Sequence, residues 1–339
     1  MEEDLILKKA DLILSNGIKL REGFDLPVKY SISTAGPSVG KRNIIIESGE
    51  FSVKVPVVEE SDFELIHNKS SLSVCHCNRP FLDDVRLQNV RFHAPKQAFF
   101  NISQNCKMGC RFCSTTIMGR SDYPTPERIA DMIREPVVKG EVKSVSFTGS
   151  INRDVQQSVD ELTSFIREIH SNYPELPIGV ECYVESESQI IQLKESGASE
   201  IKINIECATS EIMQIMCPKK DHNLVISMLE KAVSIFGKGK VCSNLIYGLG
   251  ESDKDLFDVL DMLSSKGVMT NLRAVRMNDS VSEMLKSSFK KIPVNTSERA
   301  VSLLRYQEKI FTKYNLDPNT MDTMCFPCGC CDLIPFFLS

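Results

Sequence analysis

From Gln97 onward the chain repeats one rhythm: a short run rich in β-branched and aromatic residues, a polar or glycine-bearing turn, then a longer stretch with apolar positions at helical spacing. The short runs are QAFFNIS, SVSFTGS, IGVECYV, EIKINIECA, VCSNLIYGLG and MTNLRAV. Six strands alternating with helices predict βαβ units and a parallel sheet, hence an α/β fold. In such folds the chemistry sits on the turns that leave the strands.

The two ends read differently. Residues 1–20 place Leu5, Ile6, Ala10, Leu12, Ile13 and Leu14 at helical spacing, with Gly17 as a stop. The next segment carries the short β-rich runs VKYSIS, RNIIIES and FSVKVPVV between Gly, Pro and Ser turns. Residues 1–94 are therefore expected to form a small helix-and-strand appendage, 95–296 the main α/β unit, and 297–339 a closing helix and tail. The last predicted helix is Ser297 to Asn315, and MDTMCFPCGCCDLIPFFLS follows it. That tail is too short for a core of its own, and its LIPFF ending is expected to anchor it on the main unit near the open mouth.

Composition narrows the setting. A chain of 339 residues can bury a sizeable core without disulfides. Its thirteen cysteines cluster as C-x-C, C-x3-C-x2-C and a C-terminal knot, which points to metal or iron–sulfur ligation in a reducing cytosol. Neither a signal peptide nor a membrane-spanning apolar run is read, so a soluble cytoplasmic protein is expected. A net charge of −5 speaks against a nucleic-acid footprint.

Cys106, Cys110 and Cys113 lie within eight residues, directly after the first predicted strand, and Gly109 lets the loop turn between them. A structural zinc site wants four ligands, and no fourth cysteine or histidine stands at finger spacing. A [4Fe–4S] cluster held by three thiolates instead leaves one iron open to a non-protein ligand. Such an iron can take the amino and carboxylate groups of S-adenosylmethionine and pass an electron into its sulfonium. The bland alternative is a structural metal clip or incidental thiols. With Phe112 before the third cysteine, the loop resembles the signature of the radical S-adenosylmethionine (radical SAM) superfamily.

That resemblance runs from about Lys96 to Val275 and implies a partial (β/α)6 TIM-type barrel with the cluster at its open face. It implies further contacts to S-adenosylmethionine: Thr148, Gly149 and Ser150 at the second strand end, without the family's carboxylate; Asn204 and Glu206 on the fourth strand; and Gly248 and Gly250, where backbone passes adenine. Glu206 also reads as an ordinary strand-end glutamate. NLIYGLGES and NIECATSEIMQIMCP are similar to the biotin-synthase-like branch. Cys182 and Cys242 stand at two of the barrel positions that hold a second cluster there, Ser146 stands at the third, and Arg273 or Arg276 could be the accompanying arginine. Both cysteines also read as small buried apolar residues.

Cys325, Cys328 and Cys331, with Cys330 inserted, have C-x2-C-x2-C spacing that suits a second iron–sulfur cluster, with structural zinc as the competitor. Cys75 and Cys77 read as ordinary loop residues, Cys217 as structural, and His93 and His222 as capping or core residues. Barrel and tail together look like the biotin-synthase-related lipoyl synthases that work as a pair of proteins. The resemblance implies sulfur insertion at unactivated carbons of an acylated carrier or lipoyl-domain protein. It also implies a ferredoxin or flavodoxin as electron donor and a partner radical SAM protein. Methyl transfer, carbon-skeleton rearrangement, or an iron–sulfur scaffold or electron carrier without radical chemistry remain as rival readings.

Overall fold

A computed structural model describes residues 3–32, 41–49, 51–68, 71–103, 105–113, 123–277, 279–289 and 292–335. Helix α1 is Glu3–Leu14, and its apolar face, Ile6, Ala10, Leu12 and Ile13, is buried. The strands that follow are β1 (Lys19–Leu20), β2 (Ser31–Ile32), β3 (Arg42–Ser48), β4 (Phe51–Pro56), β5 (Phe63–Asn68), β6 (Ser71–His76) and β7 (Arg79–Gln88). They form one sheet in the order β1-β5-β6-β7-β3-β2, with β4 added on β3. All pairs are antiparallel except β1 with β5. The expected VKYSIS strand shrinks to Ser31–Ile32, and its Ser33 lies outside the described residues.

The second sheet contains β8 (Gln97–Asn101), β9 (Ser144–Thr148), β10 (Ile178–Glu181), β11 (Glu200–Lys202), β12 (Val241–Tyr247) and β13 (Met269–Ala274). Their spatial order equals their chain order, and every neighbouring pair is parallel. Helices α2 (Pro126–Val138), α3 (Val155–Asn172), α4 (Glu187–Glu195), α5 (Ser210–Met216), α6 (His222–Phe236), α7 (Asp253–Ser265), α8 (Asp279–Ser288) and α9 (Ser297–Lys313) alternate with or follow these strands. This is a partial six-stranded barrel. Several helices begin where their sequence provides a cap: Thr125, Asp154, Asp221 and Thr296 each accept a first-turn backbone N–H.

Parallel strands covered on both faces usually read as continuous apolar runs. Here they alternate. Ala98, Phe100, Val145, Phe147, Ile178, Val180 and Ile201 are buried apolar residues of the core. The intervening positions, Gln97, Ser146, Glu181, Glu200, Lys202, Asn244, Asn271 and Arg273, are polar, and their hydrogen bonds run between strands or to the tail. The barrel therefore has a polar lumen inside an apolar shell.

The tail fills the base of that lumen. After the 3-10 turn Pro318–Thr320, Thr323 lies where a Cβ on Gly179 would come within 2.3 Å of its hydroxyl. Met324 exchanges hydrogen bonds with the Gln97 amide, at 2.6 and 3.0 Å. A single turn, α10 (Cys325–Cys328), then leads to Gly329 in the left-handed region. Met321, Met324, Phe326 and Ile334 form an apolar cluster with Cys242, Met269, Phe311 and Leu316. The tail thus rises from the strands' N-terminal ends rather than approaching over the open mouth, because its polar receptors Gln97 and Glu200 begin their strands. Of the LIPFF anchor, Leu333 and Ile334 are buried, and Phe336 and Phe337 lie outside the described residues.

Candidate functional site

One cavity of about 330 Å³ occupies the lumen above the tail. Cys106, Cys110 and Cys113 line it from the loop after β8, and Cys325, Cys328, Cys330 and Cys331 line it from the tail. Two thiol sets more than 200 residues apart in sequence share a single chamber.

Backbone hydrogen bonds pin the first set. Lys107 N–H donates to Ile151 O and Arg111 N–H to Met216 O, both at 2.8 Å, and Gly109 turns the loop at φ +67°. These bonds tie the loop to the turn after β9 and to the end of α5. The Cys110 thiol is hydrogen-bonded to Cys217, which together with burial raises it well above the ordinary thiol range. Met108, Phe112 and Ile151 supply apolar wall beside the thiols.

Thr148, Gly149 and Ser150 border the same cavity. Ser150 is largely committed to holding the loop: its N–H donates to the Ser103 hydroxyl at 2.8 Å and its own hydroxyl to Ser103 O at 3.1 Å. Asn204 and Glu206 also line the cavity. Asn204 donates to Glu181 at 2.7 Å and accepts the Asn244 N–H at 3.0 Å. Glu206 has φ +61°, a conformation costly for a non-glycine residue that turns the chain out of β11. Burial pushes its carboxyl above the usual range, while Lys220 Nζ at 3.5 Å pulls it down. Lys220, a cavity residue, gives this end of the chamber a cation close to Cys110.

Around the tail thiols the charge is mostly positive. Lys202 Nζ lies 3.2 Å from Cys325 Sγ and 3.6 Å from the Glu181 carboxylate. Burial disfavours its charge, but Cys325 and Glu181 outweigh that and raise its pKa. Arg273 forms an ion pair with Asp332 at 2.6 Å and reaches Cys325 Sγ at 3.5 Å. Asp332 also accepts from Asn271, which donates to Asn244 in turn. A chain of amides and carboxylates, Glu181, Asn204, Asn244, Asn271 and Asp332, thereby links β10 to β13 and the tail.

The remaining expectations divide. Cys182 lines the cavity, whereas Cys242 packs in the apolar cluster under the tail and is absent from its wall. Ser146 is bound to Gln97 at 2.8 Å. Arg273, and not Arg276, touches the tail thiols; Arg276 donates to Ile13 O. Gly248 and Gly250 do not line the cavity. Their positive φ values, +94° and +109°, go with close approach to Asn295 and Phe289, and Glu251 accepts the Gly248 and Leu249 N–H groups. Ile246, on the same strand, is the residue that reaches the cavity. His93 also lines it, held neutral down to about 3 by burial and the facing Lys54, Arg273 and Lys202. His222 caps Cys207 O at 3.2 Å, and Cys217 is fully buried. Cys75 is buried in β6, and Cys77 and Asn78 form the two-residue turn into β7.

The sequence reading passed over Gln97, Glu181, Glu200, Lys202 and Lys220. For the first four, polar residues at alternate positions of β strands were the available signal. Lys220, beside Lys219 in the loop between α5 and α6, carried none.

The donor sets suit iron–sulfur chemistry. Each comprises at least three thiols on one short segment, turned by a left-handed glycine and facing one shared cavity. Cys106, Cys110 and Cys113 would hold a cluster next to Asn204 and Glu206, the residues available to an amino acid or ribose.

Residues 100–263 match the model of the Radical SAM superfamily. Among curated proteins the chain is similar to biotin synthase of Hydrogenobaculum sp. (strain Y04AAS1), 25% identical over 197 residues, or 54% of this chain and 57% of that one. Biotin synthase of Persephonella marina (strain DSM 14350 / EX-H1) is 25% identical over 181 residues, 51% of this chain and 50% of its own. The chain spans about half the length of the curated relatives it matches. Solved structures share the fold: methylornithine synthase (PylB), with a TM-score of 0.51 at 16% identity, covering 63% of this chain and 62% of that one; and the FeFe-hydrogenase maturase HydG from Carboxydothermus hydrogenoformans, with a TM-score of 0.50 at 15% identity, covering 65% and 52%. The three-cysteine loop after the first strand of the parallel partial barrel thus lies inside a segment that matches the Radical SAM superfamily and is similar to biotin synthases.

Proposed function

We propose that this protein is a two-cluster radical SAM enzyme that inserts sulfur at unactivated carbon atoms. The observation that carries the reading is the shared chamber: the loop thiols and the tail thiols line one cavity. When bound, a loop cluster supplies the electron that cleaves S-adenosylmethionine to the 5′-deoxyadenosyl radical, and a tail cluster supplies sulfide.

The chain's own residues organise the rest. Cys106, Cys110 and Cys113 hold the first cluster, and the Ser103–Ser150 bonds keep their loop against β9. Asn204 and Glu206 face the amino acid and ribose of S-adenosylmethionine, and Lys220 balances the Glu206 charge. Cys325, Cys328 and Cys331 hold the second cluster, with Lys202 and Arg273 against Cys325. Phe99, Met108, Phe112 and Ile246 offer apolar wall to an alkyl chain placed between the two sets. The proposed substrate is an acylated carrier or lipoyl-domain protein, with ferredoxin or flavodoxin as the proposed reductant and a second radical SAM protein as the proposed partner.

Anaerobic incubation of the reconstituted enzyme with S-adenosylmethionine, reductant and acylated carrier peptides tests this by mass spectrometry. The expected product is the peptide plus sulfur, with enzyme sulfide lost in proportion. Hydrogen abstraction with no change in enzyme sulfide would favour methyl transfer or rearrangement and remove the sulfur-donor role.

A further inference from the structure

The N-terminal sheet gathers a donor set of its own, away from the cavity wall. Asp62 stands one residue before β5, His76 ends β6, and Cys77 opens the turn into β7. Phe63 pairs with His76 in the antiparallel register, so Asp62 falls opposite Cys77, whose N–H donates to Asp62 O at 2.9 Å. An Asp62 carboxylate oxygen, a His76 ring nitrogen and Cys77 Sγ lie within 4.8 Å of one another. All three residues are exposed, and none lines the cavity shared by the loop and tail thiols.

Local geometry explains the meeting. Along a regular strand, consecutive side chains point to opposite faces. A φ of +49° at Cys77 breaks that alternation and brings its thiol beside the His76 ring. The two central turn residues, Cys77 and Asn78, both have positive φ, +49° and +62°, as a type I′ hairpin turn requires. Asn, Asp and Gly are the residues such a turn favours. Asn78 meets that preference and Cys77 does not, so the turn conformation gives no reason for a cysteine there, whereas its thiol chemistry does. His76 is held in place as well: its ring stacks on Phe63, with centroids 4.4 Å apart and planes at 15°, and Phe81 meets it edge-on at 5.9 Å. A ring already held loses little rotamer freedom on binding.

We propose that Asp62, His76 and Cys77 form a binding site for a zinc ion, with water in the fourth position. Carboxylate, imidazole and thiolate are the side-chain ligands zinc takes, at about 2.0–2.3 Å, and a tetrahedral site then sets its donors roughly 3.5 Å apart. Exposed side chains whose donors already lie within 4.8 Å reach that spacing by small rotations. The mixed set also selects: magnesium and calcium prefer all-oxygen shells, and a single thiol cannot hold an iron–sulfur cluster. On binding, the Cys77 thiol gives its proton to solvent, and the metal ties the start of β5 to the β6–β7 turn. The site is separate from both cluster sites and goes beyond the proposed reaction.

The test uses the full chain, reconstituted anaerobically with iron and sulfide so that the loop and tail thiols are occupied, then incubated with zinc ion alone and desalted. Elemental analysis measures the zinc retained, and X-ray absorption at the zinc edge, where iron does not interfere, reads its ligands. One zinc per chain is expected, bound by a single sulfur with nitrogen and oxygen for the rest. Cys77→Ser and His76→Ala should each lose it while keeping their iron, and His67→Gln, on β5 and outside the group, should keep it. A chain that retains no zinc, or variants that retain as much as the parent, overturn the proposal. Zinc on the loop or tail thiols would give a sulfur-rich signal that persists in Cys77→Ser. That signal counts against the cluster reading, and the hairpin site is then judged by the difference between parent and variant: one zinc lost supports it, none lost overturns it. Should His76→Ala disturb the stack on Phe63, Cys77→Ser alone decides.

Discussion

Glu200, the first residue of β11 and fully buried, accepts the Thr323 hydroxyl at 2.6 Å and the Thr323 N–H at 2.9 Å. It takes the Asp322 N–H at 2.9 Å as well, and Lys240 sits 2.9 Å from the same carboxylate. One barrel carboxylate therefore docks the start of the tail. Each buried donor left unmet costs about 1–3 kcal/mol.

Glu200→Ala is expected to release the tail from the barrel base. Gly179→Ala should do the same by another route, since its new Cβ would stand 2.3 Å from Thr323 Oγ1 and 2.8 Å from Ser146 Oγ. Limited proteolysis checks this: cleavage between residue 315 and the tail cysteines should speed up in both variants, while the radical SAM domain stays resistant. An unchanged cleavage pattern would contradict the docking role.

Replacing Cys106, Cys110 and Cys113 together with Ala should remove about half of the iron and abolish 5′-deoxyadenosine formation. The tail set should keep its own metal, because its contacts with the barrel, Gln97, Glu200, Lys202 and Arg273, lie on strands that this loop does not build. Retained S-adenosylmethionine cleavage would end the radical reading.

The pH dependence of stability carries the mark of His93. Its pKa falls to about 3 in the folded chain because burial and three facing cations oppose its charge. An unfolded histidine titrates near 6.5. Between those values the unfolded state binds one more proton than the folded state, so this residue makes stability fall as pH drops from about 6.5 towards 3, with a slope near 1.4 kcal/mol per unit. Above about 6.5 both states are neutral and the effect vanishes. In His93→Gln, denaturant midpoints measured from pH 7.5 to 5 should show a flatter loss than in the parent chain.

Gly248→Ala separates a turn role from a ligand role. At φ +94° a Cβ would meet the Asn295 side chain at 2.2 Å, and left-handed strain of about 1–3 kcal/mol adds to that. The melting temperature should drop, whereas S-adenosylmethionine affinity of the folded variant should hold, since the residue is not part of the cavity wall. Lost affinity at unchanged stability would return the glycine to the cofactor.

The barrel was legible because its signal is local. QAFFNIS, SVSFTGS and their four successors carry strand composition and turn residues within ten positions, and each became a strand of the parallel sheet. The first thiol set was legible for the same reason, its spacing being confined to eight residues. Strands β5 to β7 were not, because FELIHN and RPFLDDVRLQ mix charged residues into runs whose only buried face is the one packed on the sheet's interior. Tail docking was hidden by distance: Glu200 meets Thr323 across 123 residues and Lys9 meets Gly329 across 320. What sequence did offer was the misfit of Glu200, Lys202 and Arg273 in strands that should be apolar on both faces. Gly248 and Gly250 misled for the opposite reason, since positive φ demands glycine equally for a turn and for a ligand.

The central claim is that the loop thiols start the chemistry and the tail thiols finish it in one chamber. Its most direct test changes Cys325, Cys328 and Cys331 to Ala in the full chain and measures iron, 5′-deoxyadenosine and sulfur-bearing product in one anaerobic assay with an acylated carrier peptide. Iron should fall by about half, 5′-deoxyadenosine should still form, and the sulfur-bearing product should vanish. Sulfur-bearing product from that variant, or zinc in the tail of the parent chain, would contradict it.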